Sequence, residues 1–108
     1  MYQRRLGKCG LPISELSFGS WITFGNQIPF DIAKKLMITA YESGVTFFDN
    51  AETYANGKSE EVMGKIFKEL NWPRDSFLVS SKAFFGTGDQ NPIKRGLHRK
   101  HLVTACEQ

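Results

Sequence analysis

Three residues of the 108-residue chain have the chemical types and the spacing that acid–base chemistry requires: Asp49, Tyr54 and Lys82. Asp49 ends one apolar run, Tyr54 follows in the next segment, and Lys82 ends a later apolar run. A lysine held near a tyrosine favours the phenolate and lowers the pKa of the phenol, and a carboxylate beside the lysine keeps the lysine charged and oriented. An exposed tyrosine near a surface ion pair would contain the same residue types without any function. Which interpretation applies depends on where the secondary-structure elements place the three residues.

The hydrophobic pattern predicts strands that alternate with helices. Strands are predicted over residues 16–19, 45–49 and 77–82, because each is a short apolar run bounded by polar residues or glycine. Strand–helix alternation implies right-handed crossovers and a parallel sheet, which brings the carboxyl ends of the strands to one edge.

The remaining segments predict a hairpin before the sheet and two loops. Residues 2–6 and 11–16 flank a glycine-bounded turn and predict a β-hairpin. Residues 22–29 and 83–96 are rich in glycine and amides and are predicted to be loops.

Helical spacing of apolar residues predicts three helices. The first takes Asp31 as its N-cap and ends at Ser43-Gly44, with an apolar stripe of Ile32, Ala33, Leu36, Met37, Ala40 and Tyr41. The second begins near Ser59, with Glu60 and Glu61 in its first turn and an apolar stripe of Val62, Met63, Ile66, Phe67 and Leu70. The third is predicted over residues 97–108.

Strand ends determine which side chains can meet. Ser20 and Trp21 follow the first predicted strand, Asp49 ends the second and Lys82 ends the third. Because neighbouring parallel strands lie about 4.8 Å apart, Asp49 and Lys82 can pair across one gap, with Tyr54 folding back from the intervening loop. This placement favours a functional site over a surface ion pair, since parallel sheets carry their sites at this edge.

Composition and charge exclude several classes of protein. The chain is 41% hydrophobic and 13% aromatic, which is typical of a globular domain, and its net charge of +3 is too small to predict a nucleic-acid partner. No apolar run approaches the ~20 residues that a membrane span requires, and residues 1–8 lack the apolar core of a signal peptide. Cys9 and Cys106 are far apart and belong to no metal-binding pattern, which favours a reducing compartment and predicts a cytoplasmic protein.

Two other motifs have alternative interpretations. His98 and His101 have the i, i+3 spacing of a metal pair, but without a nearby carboxylate or cysteine ligand a solvated helix face is predicted. Gly86-x-Gly88 lacks the third glycine and the strand-turn-helix context of a dinucleotide fingerprint, and it is interpreted as a flexible loop.

Four sequence blocks, in the same order along the chain, carry a resemblance to a known family. They are GSWITFGNQ at 19–27, FDNAETYANGKSE at 48–60 followed by Val62-Met63-Gly64, SSK at 80–82, and GLHRKHL at 96–102. The chain resembles aldo-keto reductases, and within them most closely the potassium-channel β-subunit-like branch.

The resemblance implies an α/β fold, the N-terminal portion of a (β/α)8 TIM barrel. Residues 1–108 would form the N-terminal part of one such domain, with an N-terminal β-hairpin and three of the eight barrel strands, and would end inside the third barrel helix. Gly64 costs about 1 kcal/mol inside a helix, and its match to the family pattern implies close packing of that helix against the barrel.

The resemblance also implies a reaction, the NADPH-dependent transfer of a hydride to an aldehyde or ketone. Tyr54 would be the proton donor, with Lys82 and Asp49 as the pair that lowers its pKa. The cofactor-binding residues would be Ser20, Trp21, Gln27 and Asp49.

Three further expectations follow from the resemblance. A fourth catalytic residue, His or Asn, and the segments that hold the phosphates of the cofactor would lie beyond Gln108, so the isolated chain is expected to be inactive. His98 stands where relatives often place a capping serine, which predicts a weaker helix start. The expected partners are a small carbonyl substrate and either a homo-oligomer or a channel-type protein.

Two alternative functions stay open at this point. One is a regulatory or structural β-subunit-like protein, which would bind NADPH and a channel or other partner. The other is an independent small α/β binding module.

Overall fold

The N-terminal hairpin is the first element of the computed structural model, which describes residues 1–108. Strands β1 (Gln3–Arg5) and β2 (Pro12–Ser14) are antiparallel, with Gln3 opposite Ser14. The predicted hairpin is therefore confirmed, with shorter strands than the hydrophobic pattern indicated.

The central element is a parallel sheet of three strands in the order β3 (Phe18–Gly19), β4 (Phe47–Asp49) and β5 (Leu78–Ser80). Gly19 lies opposite Asp49, and Asp49 lies opposite Ser80. The carboxyl ends of all three strands therefore meet at one edge, as predicted.

The chain forms three α-helices, α1 (Phe30–Glu42), α2 (Lys58–Leu70) and α3 (Arg99–Glu107), of which α1 and α2 contribute to the core beside the sheet. The core lies between the sheet and the first two helices, and its buried members are Phe24, Ala33, Met37, Phe48, Met63, Ile66 and Phe77. The rings of Phe67 and Phe77 stack with centroids 4.4 Å apart. Each large apolar side chain buried here contributes about 1.5–3 kcal/mol to folding.

Helix α1 departs from the prediction at both its start and its outer face. Pro29 is the N-cap and makes no side-chain cap, so Asp31 lies in the first turn instead of capping it. Asp31 still carries the negative charge that the positive end of the helix dipole favours. Ile32 and Leu36 belong to the predicted apolar stripe but are exposed, because no element packs against that side of the helix.

Helix α2 begins one residue earlier than predicted, after Gly57 with a φ of 91°. Its predicted apolar stripe faces the core, where Met63 and Ile66 are buried. The expected close packing at Gly64 is wrong for this chain, since a Cβ added there would meet no atom within 4 Å.

Helix α3 begins at a histidine cap. The Nδ1 atom of His98 accepts a hydrogen bond from the backbone N–H of His101 at 3.3 Å, so His98 fills the position that relatives often give to serine.

Residues 22–29, predicted to be a loop, contain a compact turn at Thr23–Gln27 that buries Phe24, with non-helical backbone angles at Phe24 and Gly25. None of the three α-helices combines the length and the hydrophobicity that crossing a bilayer requires.

Candidate active site

The edge of the sheet brings Asp49 and Lys82 into direct contact. Asp49 is the last residue of β4, and Lys82 follows β5 by two residues. Lys82 Nζ lies 2.7 Å from Asp49 Oδ2 and donates a second hydrogen bond, also of 2.7 Å, to the carbonyl oxygen of Asn50. The ion pair expected from the order of the strands is therefore present.

Both oxygens of the Asp49 carboxylate are hydrogen-bonded. Ser80 Oγ donates to Oδ1 at 2.5 Å, while Lys82 donates to Oδ2. The hydroxyl of Ser20 donates to the backbone carbonyl of Asp49 at 3.0 Å. Ser80 was not predicted from the sequence, because its contact with Asp49 depends on the strand register.

These contacts keep Asp49 and Lys82 charged. Burial raises the pKa of the Asp49 carboxyl. The hydrogen bonds from Lys82 and Ser80 lower this pKa by more than burial raises it, so the net pKa lies below the ordinary 3.8. Burial lowers the pKa of Lys82, but its hydrogen bond to Asp49, the charge of Asp49 and the nearby Tyr54 raise it above 10.5. The pair is ionised throughout the neutral range.

Tyr54 lies beside this pair at the start of a short turn, Tyr54–Gly57. Lys82 Nζ is 5.3 Å from the centroid of the Tyr54 ring. Ala55, Asn56 and Gly57 have φ values of 49°, 53° and 91°, and this left-handed stretch leads from Tyr54 into α2. The structure thus brings together all three residues predicted to be catalytic, while their roles stay predictions.

The residues predicted to bind the cofactor occupy different positions around Tyr54. The indole of Trp21 is 68% exposed and stacks on the Tyr54 ring, with centroids 6.3 Å apart. Ser20 is fully buried beside Asp49, and Gln27 is exposed at the end of the compact turn. Trp21 and Tyr54 form walls of a cleft of about 290 Å³, whose other lining residues are Ile22, Phe24, Asn26, Thr53 and Ala55.

A buried carboxylate behind Tyr54 was not predicted. Glu52 is 3% exposed, and its Oε1 atom accepts hydrogen bonds from Phe84 N–H at 2.7 Å and Gly86 N–H at 2.8 Å. It also lies 2.9 Å from Nε2 of His101, which is 5% exposed. The prediction of a solvated helix face is therefore wrong at His101, whose partner comes from a segment distant in the sequence.

Glu52 and His101 form a buried hydrogen-bonded pair and do not belong to a metal site. Burial raises the pKa of Glu52, but the hydrogen bonds from His101 and from the two amides lower it below the ordinary 4.5. No group of three His, Cys, Asp or Glu residues is placed to hold a metal ion. One sequence signal for an inward-facing His101 was its position one helical turn before Ala105, on the same face of the helix.

Two curated relatives are similar to nearly the whole chain. Probable voltage-gated potassium channel β subunits from Oryza sativa subsp. japonica and from Arabidopsis thaliana are each 48% identical to it over 103 residues. Each match covers 95% of this chain and 31% of the relative, so the chain spans about a third of the length of these relatives.

A solved structure and a family profile give the same result. The fold is similar to part of the crystal structure of a thermostable aldo-keto reductase in complex with the inhibitor epalrestat, with a TM-score of 0.76 and 30% identity over 99% of this chain and 36% of that chain. The hairpin and the three parallel strands thus match part of an aldo-keto reductase TIM barrel. The profile of the Aldo/keto reductase family matches residues 15–108. The chain belongs to the aldo/keto reductase family.

Proposed function

We propose that the chain is the N-terminal part of an NADPH-dependent reductase of aldehydes or ketones, with Tyr54 as the proton donor. The observation that carries this proposal is the position of Lys82, which contacts the Asp49 carboxylate and lies 5.3 Å from the centre of the Tyr54 ring.

The ion pair can assist proton transfer from Tyr54 through its charge. When a phenol gives up its proton, negative charge develops on its oxygen, and a fixed ammonium group nearby stabilises that charge. Asp49 keeps Lys82 protonated and in place, while Ser80 and Ser20 hold Asp49. Tyr54 donates the proton, Lys82 stabilises the phenolate and Asp49 orients Lys82.

We assign the cleft beside Tyr54 to the nicotinamide end of NADPH. The exposed indole of Trp21 offers an aromatic face next to the phenol, and planar rings stack on such faces. We assign Trp21, Ser20, Gln27 and Asp49 to holding this end of the cofactor, which supplies the hydride when bound. Ser20 is fully buried and would act through its hydrogen bond to the backbone of Asp49.

Removal of the Tyr54 hydroxyl tests the proposed role of Tyr54. Because the chain spans a third of its relatives, reduction is measured after joining residues 1–108 to the segment of the Oryza sativa relative that follows the matched region. We expect Tyr54→Phe to lower kcat by about 100- to 10,000-fold, the range for loss of a general acid. NADPH consumption with a generic aromatic aldehyde is the readout.

Two controls accompany this measurement. Tyr2→Phe removes the same hydroxyl from an exposed tyrosine outside the site and should leave kcat unchanged. The 108-residue chain alone should give no turnover. Undiminished turnover in Tyr54→Phe would contradict the proposed mechanism.

A second candidate function is a regulatory subunit that binds a channel-type partner. It is favoured by the 48% identity to two probable voltage-gated potassium channel β subunits. A purely structural role should survive Tyr54→Phe, so we expect that variant to retain co-precipitation with the cytoplasmic part of a plant potassium channel. Loss of co-precipitation in a folded Tyr54→Phe protein would argue against a purely structural role.

We place either function in the cytoplasm. Cys9 and Cys106 are both free and exposed, which suits a compartment that keeps thiols reduced. Fractionation of cells that express the protein should place it in the cytoplasmic fraction.

A further inference from the structure

A buried carboxylate, Glu52, lies two residues before Tyr54 and takes no part in the proton transfer proposed above. We infer that Glu52, with His101, is a positioning residue that holds Tyr54 beside Lys82. The inference rests on the proposed function, because it assigns these two residues a task at the same site.

The backbone of Glu52 is already joined to the residues of the site. Its N–H donates to the carbonyl oxygen of Lys82 at 3.1 Å, and the N–H of Asn50 donates to that of Ser80 at 2.9 Å. The N–H of Tyr54 donates to Ala51 at 3.1 Å, which fixes Tyr54 to the same short segment. Movement of Glu52 would therefore displace Tyr54 and Lys82 relative to each other.

The side chain of Glu52 adds a second connection through one oxygen atom. Oε1 lies within 2.9 Å of three donor atoms: the amides of Phe84 and Gly86 and the imidazole Nε2 of His101. These donors belong to the segment after Lys82 and to the first turn of α3. Hydrogen bonds to a charged acceptor are roughly twice as strong as neutral ones. Removal of this acceptor would break the side-chain connection among the segment after Lys82, helix α3 and the Tyr54 segment, and would leave only the backbone hydrogen bond between Glu52 and Lys82.

The other oxygen of Glu52 takes no part in this network. Oε2 is buried and has no hydrogen-bond partner. An apolar side chain of similar volume would avoid the cost of burying this oxygen, but it would leave the amides of Phe84 and Gly86 and the imidazole of His101 without their acceptor. A role in holding the geometry of the site accounts for a carboxylate at this position.

Hydrogen exchange on the 108-residue chain tests the connection without any cofactor. In Glu52→Ala we expect exchange to become about 10-fold faster at Phe84 and Gly86, which lose their acceptor, and also at Tyr54 and Asn56, whose amides bond to Ala51 and Thr53 and not to Glu52. Glu52→Gln retains an oxygen acceptor and should restore most of the protection. Glu61→Gln removes the same charge from an exposed position on α2 and should change nothing.

A spectroscopic signal of Tyr54 separates positioning from general destabilisation. In chains labelled with fluorotyrosine, the Tyr54 fluorine resonance is identified by its loss in Tyr54→Phe. It should shift in Glu52→Ala and return in Glu52→Gln, while the resonances of Tyr2 and Tyr41 stay in place. If Glu52→Ala does not fold, His101→Ala, which removes one of the three donors, should shift the same resonance.

The outcomes distinguish this inference from the proposed function. Faster exchange confined to residues 84–86, with an unmoved Tyr54 resonance, would overturn the positioning role even if reduction depends on Tyr54. A shifted Tyr54 resonance in a protein whose reduction survives Tyr54→Phe would support the connection and overturn the proposed function. Where both hold, Glu52→Ala in the joined protein should lower kcat by about 100-fold, as expected when a reacting group is misplaced by about 1 Å.

Discussion

At the scale of single residues, the Asp49–Lys82 pair matters for orientation more than for stability. The side chains of Asp49 and Lys82 are 31% and 54% exposed, so water and salt screen their attraction. Pairs this exposed contribute about 0–1 kcal/mol to the free energy of unfolding. The short contacts to Ser80 and to the Asn50 carbonyl fix where the ammonium group lies, which is what a proton donor beside it requires.

The lowered pKa of Asp49 predicts the direction in which pH changes stability. Its contribution is fully present above pH 3.8, the ordinary value, and is lost as the pH falls through the lower value of the folded state. The raised pKa of Lys82 gives a contribution that is fully present below pH 10.5 and is lost as the pH rises through the folded value. We therefore expect the free energy of unfolding of the wild type to fall more steeply than that of Asp49→Asn as the solution is acidified.

Urea unfolding at a series of acidic pH values measures this difference. Screening limits the gap between the two curves to about 1 kcal/mol. Lys82→Met removes the partner of Asp49, so the free energy of unfolding of this variant should also fall less steeply than that of the wild type at acidic pH. Parallel curves for the wild type and Asp49→Asn would show that the ion pair does not persist in solution.

At the scale of elements, one glycine that packs against helix α2 and one glycine inside it have opposite effects on stability. Gly25, in the turn that packs on the start of α2, has a φ of 73°, and a Cβ there would lie 2.9 Å from Lys58 Cβ and 3.1 Å from its carbonyl carbon. Gly64 lies inside the helix with open space around it. The first glycine is required by its contacts and backbone, whereas the second only weakens its helix.

Alanine at each glycine should therefore have opposite effects. We expect Gly25→Ala to lower the free energy of unfolding by about 1–3 kcal/mol, because it combines a strained backbone with a clash. Gly64→Ala should raise it by about 0.5–1 kcal/mol through helix propensity. Urea unfolding of both variants beside the wild type gives the values. A destabilising Gly64→Ala would mean that another segment packs against this face, as the family pattern implies.

The elements also show which parts of the fold local sequence patterns can predict. Helix α2 was predicted well because its apolar stripe meets the core along its whole length. Four of the six residues of the predicted α1 stripe are buried or half-buried, whereas Ile32 and Leu36 are exposed. The turn Thr23–Gln27 was missed because it depends on a positive φ at Ile22 and on contact with α2, and periodicity shows neither.

The same contrast applies to the residues of the site. Asp49 and Lys82 could be paired from the sequence, because strand order alone brings strand ends together. Glu52 and His101 could not, because their contact joins residues 49 positions apart through the packing of α3. Sequence reasoning thus predicted the residues at strand ends and missed those that support them through tertiary contacts.

At the scale of the whole molecule, the chain exposes more surface than a compact protein of its mass. Its accessible surface is 7470 Å², whereas a folded monomer of 12.2 kDa is expected to expose about 6,100 Å². Its radius of gyration is 14.7 Å, against about 13 Å for a compact domain of this length. The sheet has three strands and two unpaired edges, and the exposed apolar side chains include Trp21, Ile32, Leu36, Val79 and Phe85.

This excess of exposed surface predicts that the isolated chain associates with itself. Open sheet edges and unpartnered apolar faces bury themselves against other copies when nothing else covers them. Sedimentation velocity over a range of concentrations should give an apparent mass that rises above 12.2 kDa. The double variant Ile32→Lys/Leu36→Lys should weaken this association without unfolding the chain, because neither side chain belongs to the buried core.

A matched variant separates the loss of an apolar face from the addition of charge. Thr39→Lys/Glu42→Gln changes the net charge by the same amount on the exposed side of α1 and removes no large apolar side chain. If Thr39→Lys/Glu42→Gln weakens association as much as Ile32→Lys/Leu36→Lys does, charge repulsion is the cause and the face of α1 is not the contact. A wild-type chain that stays monomeric at all concentrations would instead show that its open sheet tolerates water, which would favour an independent small domain over a segment that depends on association.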